Sequence, residues 1–466
     1  MFIGREKELA KLNQLYNTDT FQFPVIYGRR RVGKTALINE FIKGKDAISF
    51  TGLESTFLQN LENLSKAIHR YIGTAGEAPV YPSFQSAFET IFALSEKKRL
   101  ILVIDEYPYV AKAYKAISSI LQTLIDKYKD TSKLYLILCG SSMSFMEEQV
   151  LGYKSPLYGR RTAQFKILPF DFSESRKYFK RFSDIDMAQI YGIVGGTPQY
   201  LLQMDDGLSV EDNIKMKILD PSSYLFEEPG NLLKQEVQKA ALYNGIVTAV
   251  ATGSTKLSEI AAKAGEETSA CALCIKKLIA LGIVRKETPY GESASKKTIY
   301  NIEDNLFRFW YRFIPDNLSL IQNDMADVVY NDISAGMSTY MGAVFEDICK
   351  QYLWEMNRRG EAAVRFTSLG RWWGNDPKKK TQTEIDIIGE ADKNTALFGE
   401  CKWTNEKVDR GVLELLVERS LLFPYGNVYY YMFSKSGFTK SCADAAEKMG
   451  NVALVSYNDI VTALSK

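Results

Sequence analysis

Along the N-terminal half of the chain, short apolar runs alternate with stretches of helical spacing. Residues 23–42, FPVIYGRRRVGKTALINEFI, begin with an apolar run, pass through a loop bounded by Gly28 and Gly33, and end in a helical pattern. Residues 99–110, RLILVIDEYPYV, set five apolar residues before Asp105 and Glu106. That is the pattern of a parallel strand buried on both faces, with acids at the ligand edge of an open α/β sheet. A third buried run, KLYLILCGSSMSFM, ends in Gly140, Ser141 and Ser142. In YGIVGGTPQYLLQM a Gly-Gly turn precedes Thr197 and Pro198, and the proline suits a helix start.

The middle of the chain changes character. VQKAALYNGIVTAVATG reads as a helix, KLSEIAAKAG as a short amphipathic helix ending at Gly265, and ETSACALCIKKLIALGIVRKE as another ending at Gly282. VRKETPYGESASKKTIYNI then reads as a hairpin with a long loop. Three helices followed by a hairpin predict a winged helix-turn-helix. Its recognition helix carries Thr268, Ser269, Lys276 and Lys277, and its wing Lys296 and Lys297. The acids Glu266, Glu267 and Glu287 lie close by and weigh against a purely basic DNA face. DNLFRFWYRFI is dense in aromatics and is expected to pack at a domain junction.

Further on, GAVFEDICKQYLWEMNRR has a helical stripe with Glu346 beside it. VRFTSLGRWWG and the basic Lys378, Lys379 and Lys380 follow, then EIDIIGEADKNTALFGECKW. Strand alternation across that last segment puts Glu384 and Asp386 on one face and Ile385 and Ile387 on the other. The same alternation pairs Glu400 with Lys402, and Cys401 with Trp403.

Composition narrows the chemistry. With 466 residues, two to four domains are expected. A net charge of +2 gives no global field toward nucleic acid or membrane, so such contacts rest on local patches. The six cysteines form no disulfide framework, and Cys271 and Cys274, spaced C-x-x-C inside a helical pattern, read as core residues rather than zinc ligands. His69 is the single histidine, which excludes His-dependent triads and His-rich metal sites. The charged start is unlike a signal peptide and the longest apolar runs are too short to span a bilayer, so a cytoplasmic protein without membrane contact is expected.

Gly28 to Thr35 match G-x-x-x-x-G-K-[ST] in a strand–loop–helix context. Small loop residues turn backbone N–H groups toward phosphates at a helix N-terminus. Lys34 reaches the β- and γ-phosphates and Thr35 ligates Mg²⁺; Asp105 holds the Mg²⁺ shell and Glu106 polarises the attacking water. The intact acid pair points to ATP hydrolysis rather than binding alone.

Several motifs carry family resemblances. FIGREKEL, with Gly4, Arg5 and Glu6, and the Gly-x-Pro element at Pro198 resemble STAND and archaeal-type ATPases, in which that proline lies near the adenine. The strand ending at Ser141 and Ser142 resembles the AAA+ strand whose terminal polar residue senses the γ-phosphate. Arg160 and Arg161 stand where such ATPases often keep an arginine finger, acting in cis or in a neighbouring copy. Glu346, Asp386 and Glu400-x-Lys402 resemble the PD-(D/E)xK nuclease core, without a proline before Asp386. In that resemblance Glu346, Asp386 and Glu400 hold metal, Lys402 polarises water, and Lys378–Lys380 meet the nucleic-acid backbone.

The whole chain thus resembles the archaeal-type AAA+/STAND P-loop ATPases with a C-terminal nuclease-like domain. The resemblance implies an α/β fold: a P-loop NTPase parallel sheet with helical lid over 1–235, a winged helix over 236–305, and an α/β restriction-endonuclease-like domain over 306–466. It further implies ATP and Mg²⁺ as ligands, DNA as partner, and homo-oligomers in the ATP state. The rival expectation is a signalling switch whose C-terminal domain binds partners without cutting.

Overall fold

The computed structural model describes residues 2–73, 79–292 and 297–465. Lys296 of the expected wing lies outside these. The chain divides into two compact units, one of residues 1–170 with 197–199, the other of 171–196 with 200–466.

In the first unit β1 (Pro24–Tyr27), β2 (Ala47–Thr51), β3 (Leu100–Asp105), β4 (Leu134–Gly140) and β5 (Ala163–Lys166) form one sheet in the order β2-β3-β4-β1-β5. Every pairing is parallel. Strands β1, β3 and β4 are buried along their whole length, as their unbroken apolar runs require. Alternation divides β3 between two cores: Leu100, Leu102 and Ile104 on one face, Ile101 and Val103 on the other. Helices α1 (Glu6–Tyr16) and α2 (Lys34–Ile42) contribute Leu12, Leu37, Ile38 and Phe41 to the second core. Helices α3 (Phe57–Ile72), α4 (Phe84–Lys97), α5 (Tyr107–Ala113) and α6 (Ile117–Tyr128) cover the first.

The second unit begins with helices expected as the lid of the nucleotide domain, and by packing they belong here. Tyr191 O of helix α7 (Asp184–Val194) accepts from Asn305 Nδ2 at 2.9 Å. Further along, after the helices Val210–Lys217 and Tyr224–Glu236, come α8 (Ala240–Ala251), α9 (Leu257–Ala264) and α10 (Thr268–Ala280), then an antiparallel pair, β6 (Val284–Glu287) and β7 (Ile299–Ile302). Cys271 and Cys274 are buried in their common core. Phe307 and Tyr311 of α11 (Asn305–Phe313) join that core, and Trp310 Nε1 donates to Phe226 O at 2.7 Å, so these aromatics pack.

Helix α12 (Ala326–Arg359) runs for 34 residues and starts well before the stripe read from sequence. Five strands make a mixed sheet in the order β12-β11-β10-β9-β8: β8 (Ser368–Asp376), β9 (Thr381–Asp392), β10 (Thr395–Lys402), β11 (Asn427–Ser434) and β12 (Val452–Ser456). The pairs β8–β9 and β9–β10 are antiparallel, and β10–β11 and β11–β12 parallel. Helices α13 (Arg410–Ser420), α14 (Lys440–Met449) and α15 (Tyr457–Leu464) complete the unit. No helix among the described residues is long and apolar enough to cross a membrane.

The alternation expected from Glu384 to Ile387 does not hold. The β8–β9 register shifts between Gly370 and Trp372. As a result Ile385 and Ile388, three residues apart, share one core cluster, while Ile387 lies against Gly399. Ile385 and Ile387 therefore face opposite ways. A β-bulge of this kind re-aims a side chain beside a site, and here that side chain is Asp386.

Candidate functional site

The loop between β1 and α2 is shaped by its glycines. A Cβ on Gly28 would stand 2.3 Å from the Ile167 carbonyl oxygen, so only glycine fits where β1 leaves the sheet. Gly33 has φ +90° and precedes α2, a left-handed conformation that costs other residues free energy. Arg31 takes φ +73° in the same loop, and Glu106 takes φ +50° at the end of β3. Such conformations persist only where surrounding structure enforces them, and they gather at functional sites.

Lys34 is 6% exposed, and its Nζ donates to the carbonyls of Gly28 and Arg29, at 2.9 Å each. Burial pulls this ammonium below its ordinary pKa. Thr35 Oγ1 donates to Asp105 Oδ2 at 2.9 Å, which joins the start of α2 to the end of β3. A hydroxyl and a carboxylate thus meet at one point, a donor set suited to Mg²⁺. Glu106 Oε2 accepts from Ser141 Oγ at 2.9 Å and from Ser141 N at 3.3 Å, so Ser141 is the serine that meets the acid. Pro198 packs on the loop, its Cγ 3.6 Å from a Cβ built on Gly33.

Two buried arginines brace this loop. Arg29 NH2 donates to Thr197 Oγ1 at 2.5 Å, and both residues are buried. Arg5 donates to Val32 O at 3.1 Å and to Leu168 O, and lies 4.2 Å from the Phe170 ring centroid. Arg160 is engaged elsewhere: its Nε and NH2 donate to the two carboxylate oxygens of Asp126 on α6, at 2.9 and 2.6 Å. Arg161 NH1 contacts Leu151 O at 3.5 Å. A finger made of Arg160 would first have to release Asp126.

In the second unit, Glu346 on α12, Asp386 on β9, and Glu400 and Lys402 on β10 lie near enough to shift one another's ionisation. Burial, helped by the Asp386 charge, raises Glu346 to about 7. Burial also raises Asp386 and Glu400. Burial works most strongly against the Lys402 ammonium, but the Glu400 charge and hydrogen bond, with the Asp386 charge, together offset it and the net shift is upward. Lys402 Nζ donates to Glu400 Oε1 at 2.7 Å, as strand alternation places them. Arg419 of α13 donates to Glu400 Oε2 at 3.4 Å. Asp386 Oδ2 accepts from Cys401 N at 2.9 Å.

Among the described residues no three histidine, cysteine, aspartate or glutamate side chains are close enough to hold a metal ion. The expected ligands Glu346, Asp386 and Glu400 thus do not converge, because Glu400 is turned to Lys402 and Arg419. Lys378, Lys379 and Lys380 form the tip of the β8–β9 hairpin, where the Asp376 carboxylate accepts from the N–H groups of Lys378 and Lys379. Lys379 pairs with Glu418 at 2.7 Å.

The β6–β7 hairpin is anchored to this region at two points. At its base, Arg285 meets Asp347, the neighbour of Glu346, at 2.9 Å. Burial alone would raise Asp347, but the charges of Arg285 and Arg308 overcome it and hold the carboxylate below its usual range. Beyond β6, Tyr290 N donates to Arg371 O at 2.9 Å, its hydroxyl lies 2.7 Å from Ser368 Oγ, and Glu390 N donates to it at 3.0 Å. Arg371, on β8, pairs with Glu384 and feels the charges of Glu346 and Asp386. Sequence reasoning missed Arg29, Arg371 and Arg419. The triple arginine after Gly28 signals the first, whereas the other two have no local signature.

Comparison with known proteins agrees with the first-unit geometry. A family model described as an ATPase domain predominantly from Archaea matches residues 2–204, and one described as archaeal and bacterial proteins of unknown function matches 310–412. An uncharacterized protein of Methanocaldococcus jannaschii is 34% identical over 417 residues, covering 89% of this chain and 90% of its own. An ATP-binding protein of Pyrococcus abyssi is 25% identical over 246 residues, 44% of this chain and 71% of its own. The structure of a Walker-type ATPase of Pyrococcus abyssi superposes with TM-score 0.51 at 18% identity, over 67% of this chain and 96% of that one. The fold and the loop define an ATP-binding protein of P-loop ATPase type. The chain belongs to the predominantly archaeal ATPase family, with the C-terminal domain of unknown function that accompanies it here.

Proposed function

We propose that the protein is a Mg²⁺-dependent ATPase whose nucleotide cycle controls a nucleic-acid site in the second unit. In the first unit, Lys34 would exchange the carbonyls of Gly28 and Arg29 for phosphate oxygens. Thr35 and Asp105 would hold Mg²⁺, which supplies positive charge where phosphate charge develops. Glu106 is held by Ser141, and it must leave that serine to orient water and take its proton. Ser141 then becomes free to meet the γ-phosphate. Pro198, which packs against Gly33, would lie beside the bound nucleotide. Arg160 or Arg161 would complete the site in cis or from a neighbouring copy once Arg160 leaves Asp126.

In the second unit α8 to α10 with the β6–β7 hairpin are read as a winged helix and the β8–β12 domain as nuclease-like. The observation that carries the coupling is the double anchorage of the hairpin. It grips Asp347 beside Glu346 and the backbone of Arg371, so displacement of the three-helix element must move both. DNA is the partner we assign, through Lys276 and Lys277 of α10, Lys297, and Lys378–Lys380. A second reading has a specific observation in its favour. Glu400 is occupied by Lys402 and Arg419 and the acids do not converge, as in a switch that binds without cutting.

The test is a cleavage assay of wild type and Lys402→Ala on single-stranded, duplex and branched DNA, with Mg²⁺ or Mn²⁺, with and without ATP. We expect cutting by wild type alone, increased by ATP, with the ATPase rates of the two proteins equal. Absence of cutting under every condition leaves the switch.

A further inference from the structure

Residues 176–182, RKYFKRF, interleave cations with aromatic rings, and they border a cavity of about 440 Å³. The cavity lies wholly within the second unit, between the chain from Ser173 to Met187 and the end of α15. Its lining shares no residue with the phosphate loop or with the acid cluster. A volume in this range suits a small organic ligand.

Part of the lining is apolar. Met187 and Leu464 are buried, and the Phe179 and Phe182 rings stand 5.0 Å apart, inclined at 60°. Such faces receive a flat apolar body. The rest is polar and braced. Arg176 NH1 donates to Ser465 Oγ at 2.7 Å and to Val461 O at 3.2 Å, and its NH2 pairs with Asp184 Oδ1 at 2.9 Å. Ser173 Oγ donates to Leu464 O at 2.9 Å. The Asp206 carboxylate accepts from the N–H groups of Lys180 and Arg181, at 2.7 and 3.0 Å, which fixes the loop that presents Lys180. Charge decides what enters. The lining sets Arg176, Lys177 and Lys180 against Asp184, and Arg176 already neutralises that acid. Lys180 is exposed, and its ammonium makes no hydrogen bond or ion pair among the described residues. An apolar hollow with excess positive charge at its edge is complementary to an anion that carries a ring.

We propose that this cavity binds a small aromatic anion, its flat body against Phe179, Phe182 and Leu464 and its carboxylate or phosphate at Lys177 and Lys180. The site is independent of the nucleotide loop and of the acid cluster, and it stands whether or not the second unit meets nucleic acid.

The experiment is calorimetry on the full chain with naphthyl phosphate, naphthoate, naphthol and inorganic phosphate. Each titration is run on wild type and on Lys34→Ala, which silences the phosphate loop. We expect the naphthyl anions to bind equally well to both proteins. Binding should be about tenfold weaker for naphthol, which lacks the charge, and at least about tenfold weaker for inorganic phosphate, which lacks the ring. A preference for naphthyl phosphate over naphthoate assigns a phosphate monoester to the site, and the reverse preference a carboxylate. Lys180→Ala should weaken the anions about threefold, and Lys177→Ala with Lys180→Ala about tenfold. Phe182→Ala should weaken naphthol and the anions alike, by about tenfold. The two lysines are exposed, so their variants keep the fold and test the site even where Phe182→Ala does not fold. Naphthol that binds as tightly as the anions overturns the charge assignment. Anion binding undiminished in the double lysine variant puts the ligand elsewhere and overturns the site. Binding lost in Lys34→Ala belongs to the phosphate loop and overturns it too, as does a failure of both naphthyl anions to bind.

Discussion

Each unit builds a five-stranded sheet and sets a lysine beside carboxylates, but the two sites hold their charge differently. In the first, Lys34 is held by neutral carbonyls and Asp105 by the Thr35 hydroxyl, so opposite charges are kept apart and fixed in direction. In the second, Lys402 and Arg419 lie directly on Glu400. The first arrangement is preorganised: a phosphate can replace carbonyls without breaking an ion pair. The second is self-neutralised, and any ligand must first compete with partners already present. Around the first site two non-glycine residues, Arg31 and Glu106, are held left-handed. Free energy stored in conformation keeps one site ready, and free energy held in ion pairs keeps the other at rest.

The strongest way to break this contrast is Lys34→Ala. Phosphate release from ATP should fall by about 10³-fold, since one fixed donor to developing charge is lost; undiminished turnover would remove the loop from the chemistry. Next, Glu106→Gln should slow hydrolysis by roughly 10²-fold while fluorescent ATP-analogue binding stays near wild type. Equal loss of binding would mean that the acid acts on the nucleotide rather than on water.

The second unit is sharpened by Arg285→Met, which leaves the half-buried Asp347 paired with Arg308, at 3.6 Å. Removing a charge-assisted bond from this half-buried carboxylate costs up to about 3 kcal/mol. All five tryptophans lie in this unit, so their fluorescence in a denaturant titration reports it separately. An unchanged midpoint would show that the hairpin base is not clamped. The smallest effect is on pH. Glu346 holds its proton up to about 7, well above the ordinary carboxylate value, so the folded unit binds more protons than the unfolded chain in between. The sign follows: stability is greatest at acid pH and falls as pH rises toward 7, by about 2–3 kcal/mol. Glu346→Gln should flatten that dependence in the same fluorescence titration; a slope that persists would place the proton elsewhere.

The two sites were unequally legible in the sequence, for the same physical reason. The phosphate loop is one contiguous segment whose backbone geometry demands Gly28 and Gly33, so the structural requirement is written directly as residue type. Its acids end a wholly apolar strand, which alternation and hydropathy reveal. Arg29 and Thr197 meet across 168 positions, and nothing local announces that pairing. The acid site is assembled from α12, β8, β9, β10 and α13. The order of its acids was readable, but Arg371 and Arg419 acquire their partners only through tertiary packing. Strict alternation also failed at Ile385 to Ile388, because the bulge opposite Arg371 reverses the faces at the very position of Asp386. The first half of α12 was missed because Gly336 and Gly342 interrupt its helical signal, whereas burial of Val329, Ile333, Met337 and Met341 holds it helical.

The short segment Thr197–Gln199 means that the chain passes between its two units three times rather than once. A protease cut or a truncation after residue 170 cannot deliver an intact nucleotide unit, because Thr197 and Pro198 would leave with the other fragment. Arg29 would lose the hydroxyl it binds, and Gly33 the ring packed upon it. The two units are therefore interdependent in biogenesis. During synthesis the phosphate loop cannot mature until residues nearly 170 positions downstream of it have left the ribosome, so the chain is unable to complete its nucleotide unit before part of its neighbour has been made.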